Sequence, residues 1–196
     1  TNMPITTKLH AINILLAAIG TSPVNNLNTA NTDAVMAKNY INNALKEIQT
    51  EKWYFNTEEN YQLTPDINNE IHLADNIINI DSIGRFGENT NLIPRGKKLY
   101  DRLNHTYKIP QPITANIILC LEFDELPETA IQYIIAKAAR KYQEELLGDP
   151  SLRTWTKEDE ATARGRLIDE DLRIRKLSFG ALPKQDPTIL MDFRNI

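Results

Sequence analysis

The sequence is short of most things that chemistry needs. It has a single cysteine, Cys120, so no internal disulfide can form, which fits a protein made in a reducing cytoplasm. Its three histidines, His10, His72 and His105, fall in three different predicted elements. None has a companion His three or four residues away, and that removes the usual zinc spacings. Seven glycines are spread along the chain, and neither the dinucleotide-binding nor the P-loop pattern occurs. No apolar run approaches the roughly 20 residues of a membrane helix, and the start does not read as a signal peptide. Basic excess is missing too: 22 Lys and Arg stand against 26 Asp and Glu, a net charge of −4. That balance argues against gripping nucleic acid by phosphate neutralisation, although DNA could still slide past such a surface. Internal repeats and low-complexity tracts are absent.

What remains is an ordinary globular composition, 41% hydrophobic and 24% charged over 196 residues. The apolar period predicts an α+β fold. A first helix is capped by Thr6 or Thr7 and runs to Ile19, with Gly20 as its stop. A second starts near Thr32-Asp33 and places Ala37, Ile41, Ala44, Leu45 and Ile48 on one face. From Trp53 the period becomes two, and Trp53, Phe55, Thr57, Tyr61 and Leu63 read as a half-buried strand. Ile77–Ile83 is a second strand, Pro94-Arg95-Gly96 a turn, and Leu99-Tyr100-Asp101 part of a further strand. Ile113–Phe123 is the clearest strand, with Cys120 inside it as an inert packed thiol.

Helical spacing returns at Ile131, Ile134, Ile135, Ala138, Ala139, Tyr142 and Leu146, between Pro127 and Gly148. The last helix, Lys157–Leu177, has only a thin stripe centred on Ala163, Leu167 and Ile174 and is otherwise crowded with both charges. The expected organisation is a helical bundle of about four helices from 1–52 and 124–177, a β-rich insertion over 53–123, and an extended tail over 178–196. The tail carries Phe179, Leu182, Ile189, Leu190, Met191, Phe193 and Ile196, too apolar for a solvated end, so it is expected to dock on its own domain or on another subunit.

Catalytic groupings are weak. No serine sits in a Gly-x-Ser-x-Gly elbow. Glu58-Glu59 and Asp124-Glu125 are paired carboxylates, but with 26 acidic residues such pairs arise by chance, and the second pair suits the positive end of the following helix. Arg95, Lys97, Lys98, Arg102, His105 and Lys108, with Tyr100 and Tyr107, form a basic aromatic patch. It reads as a solvated hairpin or a contact for a protein partner. No catalytic, cofactor or metal site is expected.

Three stretches carry a family resemblance: KLHAINILLAAIGTSPV at Lys8–Val24, with its Ile-Gly-x-x-Pro-Val turn; ALKEIQTEKWYFN at Ala44–Asn56, with its Ile-Gln and Trp-x-Phe-Asn core; and FDELPETAIQYIIAKAARKY at Phe123–Tyr142. Tyr100-Asp101-Arg102 adds a shorter match. Together they resemble the tail tubular protein A family, the head-to-tail adaptors of short-tailed, T7-like bacteriophages. The resemblance implies a structural virion protein at the head-to-tail interface. About a dozen copies would form a ring beneath the portal and above the tail nozzle, supporting tail fibres and leaving a channel through which the genome passes unbound. On that view Leu182, Ile189, Leu190, Met191, Phe193 and Ile196 are expected at the portal. Tyr133, Lys137, Arg140, Lys141, Arg164, Asp171 and Arg175 are expected between copies, and Arg95, Lys97, Lys98, Tyr100, Arg102 and Tyr107 at nozzle or fibre. The competing reading is a tail protein that degrades polysaccharide, for which the acidic residues are the sole support.

Overall fold

A computed structural model describes residues 6–28, 30–83, 91–148 and 150–180, without the side chains of residues 82 and 178–180. The fold is α+β. Helix α1 spans Lys8–Ala18, α2 Thr32–Gln49, α3 Glu128–Leu146 and α4 Lys157–Gly180. The strands are β1 Thr57–Leu63, β2 Ile77–Ile83, β3 Leu92–Arg95, β4 Lys98–Asp101 and β5 Ile113–Leu119.

Helix α3 is the keystone of the helical part. Its small residues Ala130, Ala136, Ala138 and Ala139 let neighbours approach closely, while Ile131, Ile134, Ile135 and Tyr142 fill the space between them. It packs against α1, α2 and α4. With three neighbours it buries far more than the single stripe visible in the sequence. The opposing faces come from Ile12, Leu15 and Leu16 of α1 and from Ala37, Ile41, Leu45 and Ile48 of α2. Among the described side chains of α4, only Leu167 is buried in this core. The expected thin stripe is therefore real, and α4 runs three residues beyond the expected Leu177.

Local chemistry sets the helix ends. Thr7 caps α1 by accepting the His10 N–H, and Gly20 leaves the helix at φ +75°, a conformation glycine adopts without strain. Asn31, one residue ahead of the expected Thr32-Asp33, caps α2 by accepting the Ala34 N–H. Ahead of α3, Phe123–Glu125 forms a 3₁₀ turn closed by a capping box between Glu122 and Glu125. Thus Glu125 serves that turn, and Glu128 is the acidic residue in the first turn of α3.

The β part has a core of its own around Leu63, Ile71, Leu73, Ile83, Leu99, Ile109, Ala115 and Ile117. Strand β5 lies in the middle of a three-stranded antiparallel sheet of order β1-β5-β2, with Thr57 opposite Ile118 and Ile77 opposite Leu119. Strands β3 and β4 form a separate hairpin whose two-residue turn is Gly96-Lys97, with Gly96 at φ +62°. Pro94 and Arg95, expected in that turn, are strand residues.

Both boundaries between the parts differ from the sequence reading. Strand β1 begins at Thr57, four residues after the expected Trp53. Strand β5 stops at Leu119, so Cys120 lies just past it, half-buried, and burial pushes its thiol pKa up. Trp53 and Phe123 are buried in the helical core. The alternation of apolar residues there mimics a strand, but Tyr54–Asn56 is a turn, Phe123 opens a 3₁₀ turn, and the side chains pack on helices.

Candidate interaction surfaces

The joint between the two parts is built from side chains, and two buried amides hold it. Asn56 is fully buried. Its Oδ1 accepts the Trp53 N–H at 2.9 Å, while Nδ2 donates to the Gln49 carbonyl at 2.9 Å and the Glu51 carbonyl at 3.2 Å. Gln49, also fully buried, reaches the returning strand: its Oε1 accepts the Leu121 N–H at 2.8 Å and its Nε2 donates to the Leu121 carbonyl at 3.0 Å. The Trp53 indole N–H donates to the Ile48 carbonyl at 2.9 Å. The Ile-Gln and Trp-x-Phe-Asn core thus pairs backbone groups of Ile48, Gln49, Glu51, Trp53 and Leu121 where the chain crosses from helix to sheet and back.

Helix α4 grips the same crossing from outside. Asp171 Oδ1 accepts the Tyr54 N–H at 2.6 Å, and Glu170 accepts the Tyr54 hydroxyl at 3.0 Å. Arg175 bridges Asp171 at 2.7 Å and donates to the Lys52 carbonyl at 3.1 Å, and Arg164 pairs with Glu51 at 2.8 Å. Burial, reinforced by the Glu170 carboxylate, holds the Tyr54 hydroxyl pKa far above the usual phenol value. Deeper along the bundle Lys137 pairs with Glu47, and Arg140 with Glu144 and Glu160. Lys141 also pairs with Glu47, and it is the larger of two lysine contacts that hold this carboxyl below its usual value.

These contacts place the residues expected between copies. Tyr133 is buried in the core. Lys137, Arg140, Lys141, Arg164, Asp171 and Arg175 all have ion-pair partners within the chain, several of them on distant elements. Sequence reasoning found the charges but not the pairing, because Glu47 and Lys141 lie far apart along the chain. The cations of α4 that join no ion pair among the described residues are others: Lys157, Arg166, Arg173 and Lys176.

The hairpin patch is less basic than its composition suggests. Lys97 pairs with Asp75 at 2.5 Å and Lys98 with Glu70 at 2.6 Å. The Arg95 guanidinium lies 3.7 Å from the Tyr100 ring centroid, and Tyr100 packs edge-on against Tyr107 at 4.8 Å. Arg102 is exposed at the following loop. The structure thus brings Arg95, Tyr100 and Tyr107 into one stack, with neutralised lysines beside it.

One grouping escaped the sequence reading. Asp66, Glu70 and His72 offer ligand atoms within 4.8 Å of one another. Their spacing follows no His-based rule; the signal for it is the Asp-Ile-Asn-Asn-Glu turn, in which Asp66 Oδ1 accepts the N–H groups of Asn68 and Glu70. Those bonds hold the Asp66 carboxyl below its usual value. The Lys98 ammonium bonds the Glu70 carboxylate at 2.6 Å, so that member of the group already has a cation partner within the chain. Of the paired carboxylates, Glu58 and Glu59 are exposed on β1, while Asp124 and Glu125 lie in the 3₁₀ turn. No helix of the described residues is long and apolar enough to cross a membrane. The expected portal residues Leu182, Ile189, Leu190, Met191, Phe193 and Ile196 lie outside the described residues.

Comparison with known proteins gives two matches. A family model described as "Tail tubular protein" matches residues 9–177. The chain is also similar to a protein named "Tail tubular protein A" from Klebsiella phage KP34, with 27% identity over 172 residues, covering 87% of this chain and 90% of that protein.

Proposed function

The chain belongs to the tail tubular protein family, and on that premise we propose that it is the head-to-tail adaptor of a short-tailed phage virion. In this reading about a dozen copies close into a ring between portal and nozzle, support the tail fibres and leave a channel for the genome. The observation that carries it is the family match over residues 9–177, which takes in both the helical and the β part. The role is structural, with no catalytic step, cofactor or metal. The protein is made in the host cytoplasm and resides in the virion tail.

The physical features support the reading. A buried polar joint and an outer clasp hold the two parts in a fixed relation, as a load-bearing ring segment requires. The net charge of −4 suits a lumen past which DNA slides, since basic walls would retain phosphate. The apolar residues Leu182–Ile196 are assigned to the portal, and the Arg95, Tyr100 and Tyr107 stack with Lys97, Lys98 and Arg102 to nozzle or fibre.

Negative-stain imaging of the purified protein, alone and mixed with its portal, tests the proposal. Rings that stack on the portal are expected; dispersed monomers in both samples would refute it. Deleting Pro183–Ile196 should abolish portal attachment, and undiminished attachment would refute the assignment of that segment.

A further inference from the structure

The outward side of α4 differs from its inward side. Arg166, Leu172, Arg173, Lys176 and Leu177 are all exposed, and steps of four and seven residues keep them on neighbouring rows of one helix surface. Leu172 is 49% exposed and Leu177 66%, unusual for leucines on a structured helix. Among the described residues no ion pair uses Arg166, Arg173 or Lys176, although Arg164 and Arg175 are both paired. Asp169, also exposed, lies among them, so the stripe is apolar and predominantly basic, and none of the described residues covers it.

A surface of the opposite kind lies on β1. Glu58 to Gln62 are all exposed, because a bulge between Glu58 and Tyr61, with Asn60 at φ 56°, breaks the alternation that would turn every second residue inward. Glu58 and Glu59 join no ion pair among the described residues, and Tyr61 beside them is 41% exposed. As the outer strand of its sheet, β1 also has an edge that pairs with no other strand among the described residues.

We propose that the α4 stripe of one copy docks on the β1 edge of the next, with Arg166, Arg173 and Lys176 facing Glu58 and Glu59, and Leu172 and Leu177 covering Tyr61. The occupant is a second copy of this chain because one molecule carries both complementary surfaces. The surfaces are unlike each other, so the contact is heterologous: each copy donates one and receives the other, as a closed ring of identical subunits demands. This rests on the ring reading above and specifies its interface. Of the residues expected between copies, Lys137, Arg140, Lys141, Arg164, Asp171 and Arg175 have ion-pair partners within the chain, and the contact proposed here uses other charges.

Charge exchange tests it in the full-length chain, with assembly followed by mass photometry. Glu58→Lys with Glu59→Lys, and separately Arg173→Glu with Lys176→Glu, should each raise the concentration needed for half-assembly at least tenfold. Combining all four substitutions should bring it back to within threefold of the parent. Circular dichroism melts check that every variant is folded. Two reversals that assemble like the parent would overturn the contact and leave the ring intact. Failure of the combined variant to recover would also overturn it, since the two patches would then face different partners. A parent that never assembles, alone or with its portal, would refute the ring reading instead.

Discussion

Replacing Asn56 with alanine puts the joint between the two parts to a quantitative test. The substitution strips a partner from the Trp53 N–H and from the Gln49 and Glu51 carbonyls. Glu51 is exposed, so its carbonyl can turn to water, but Trp53 and Gln49 are buried. A buried group left unpaired costs about 1–3 kcal/mol, which puts the loss at about 2–6 kcal/mol for two such groups. At roughly 2–4 °C per kcal/mol for a chain of this size, the melting temperature should fall by roughly 4–24 °C. Urea titration followed by tryptophan fluorescence reads the loss directly, because Trp53 sits in the joint. Asn56→Asp refines the test. Its carboxylate would still accept the Trp53 N–H but would face two carbonyls, and burial would raise its pKa in the folded state. A group with a raised folded pKa loses stability as pH rises through that value, so this variant should lag the parent more at pH 7 than at pH 4. The reasoning fails if Asn56→Ala costs less than about 1 kcal/mol, a sign that the exposed groups found water, or if the Asn56→Asp deficit does not change with pH.

Other consequences are equally open to measurement. Leu167→Ala should cost about 3 kcal/mol and, because polar contacts hold the rest of α4, should speed amide exchange in α4 before α3; uniform acceleration would contradict this. Tyr142→Phe removes the hydroxyl that donates to the Asp33 carbonyl at 2.9 Å and should cost about 1–2 kcal/mol in urea titration. In the parent, burial pushes Tyr142 up to about 12 from 10.0, so its contribution holds below pH 10 and is lost as pH climbs through 12; ultraviolet titration should show two late-ionising tyrosines, Tyr54 and Tyr142, of which only Tyr54 remains in the variant. Glu47 is held below its ordinary 4.5 by Lys141 and then Lys137. Its contribution is therefore present above that value and lost as pH falls through the lower folded one, and Glu47→Gln should flatten the acid limb of the stability profile.

Much of the fold could be read from period and punctuation. Strand β2 was placed at Ile77–Ile83, as observed, and Gly20 ends α1 as a residue of positive φ should. The failures cluster where tertiary partners decide. Alternation at Trp53 and Phe55 reads as strand, yet both side chains pack on helices, and the fully buried Asn56 that makes this possible looks in sequence like any polar residue. The triple burial of α3 could not be read from one stripe, because packing on three neighbours uses small alanines that period analysis scores weakly. Charge composition marked α3 and α4 as important but could not separate paired from unpaired cations, since Arg164 and Glu51 meet only in the folded chain. The grouping of Asp66, Glu70 and His72 is local, but its spacing matches no His-based pattern and its geometry comes from the turn that Asp66 closes.

The keystone position of α3 also sets an order in time. During synthesis α1 and α2 are complete once Gln49 is made, but the helix that covers their apolar faces ends at Leu146, some 97 residues later (146 − 49). At about 5–20 residues per second, those faces stay uncovered for roughly 5–20 s, long enough for a chaperone to find them. The β part, whose strands all lie between Thr57 and Leu119, can close within that interval. The chain therefore carries a finished β part on an unfinished base until α3 emerges, and the clasp on Tyr54 comes later still, with α4. Of all its segments, the one whose loss leaves the most nascent chain without a partner is the helix in the middle of the core.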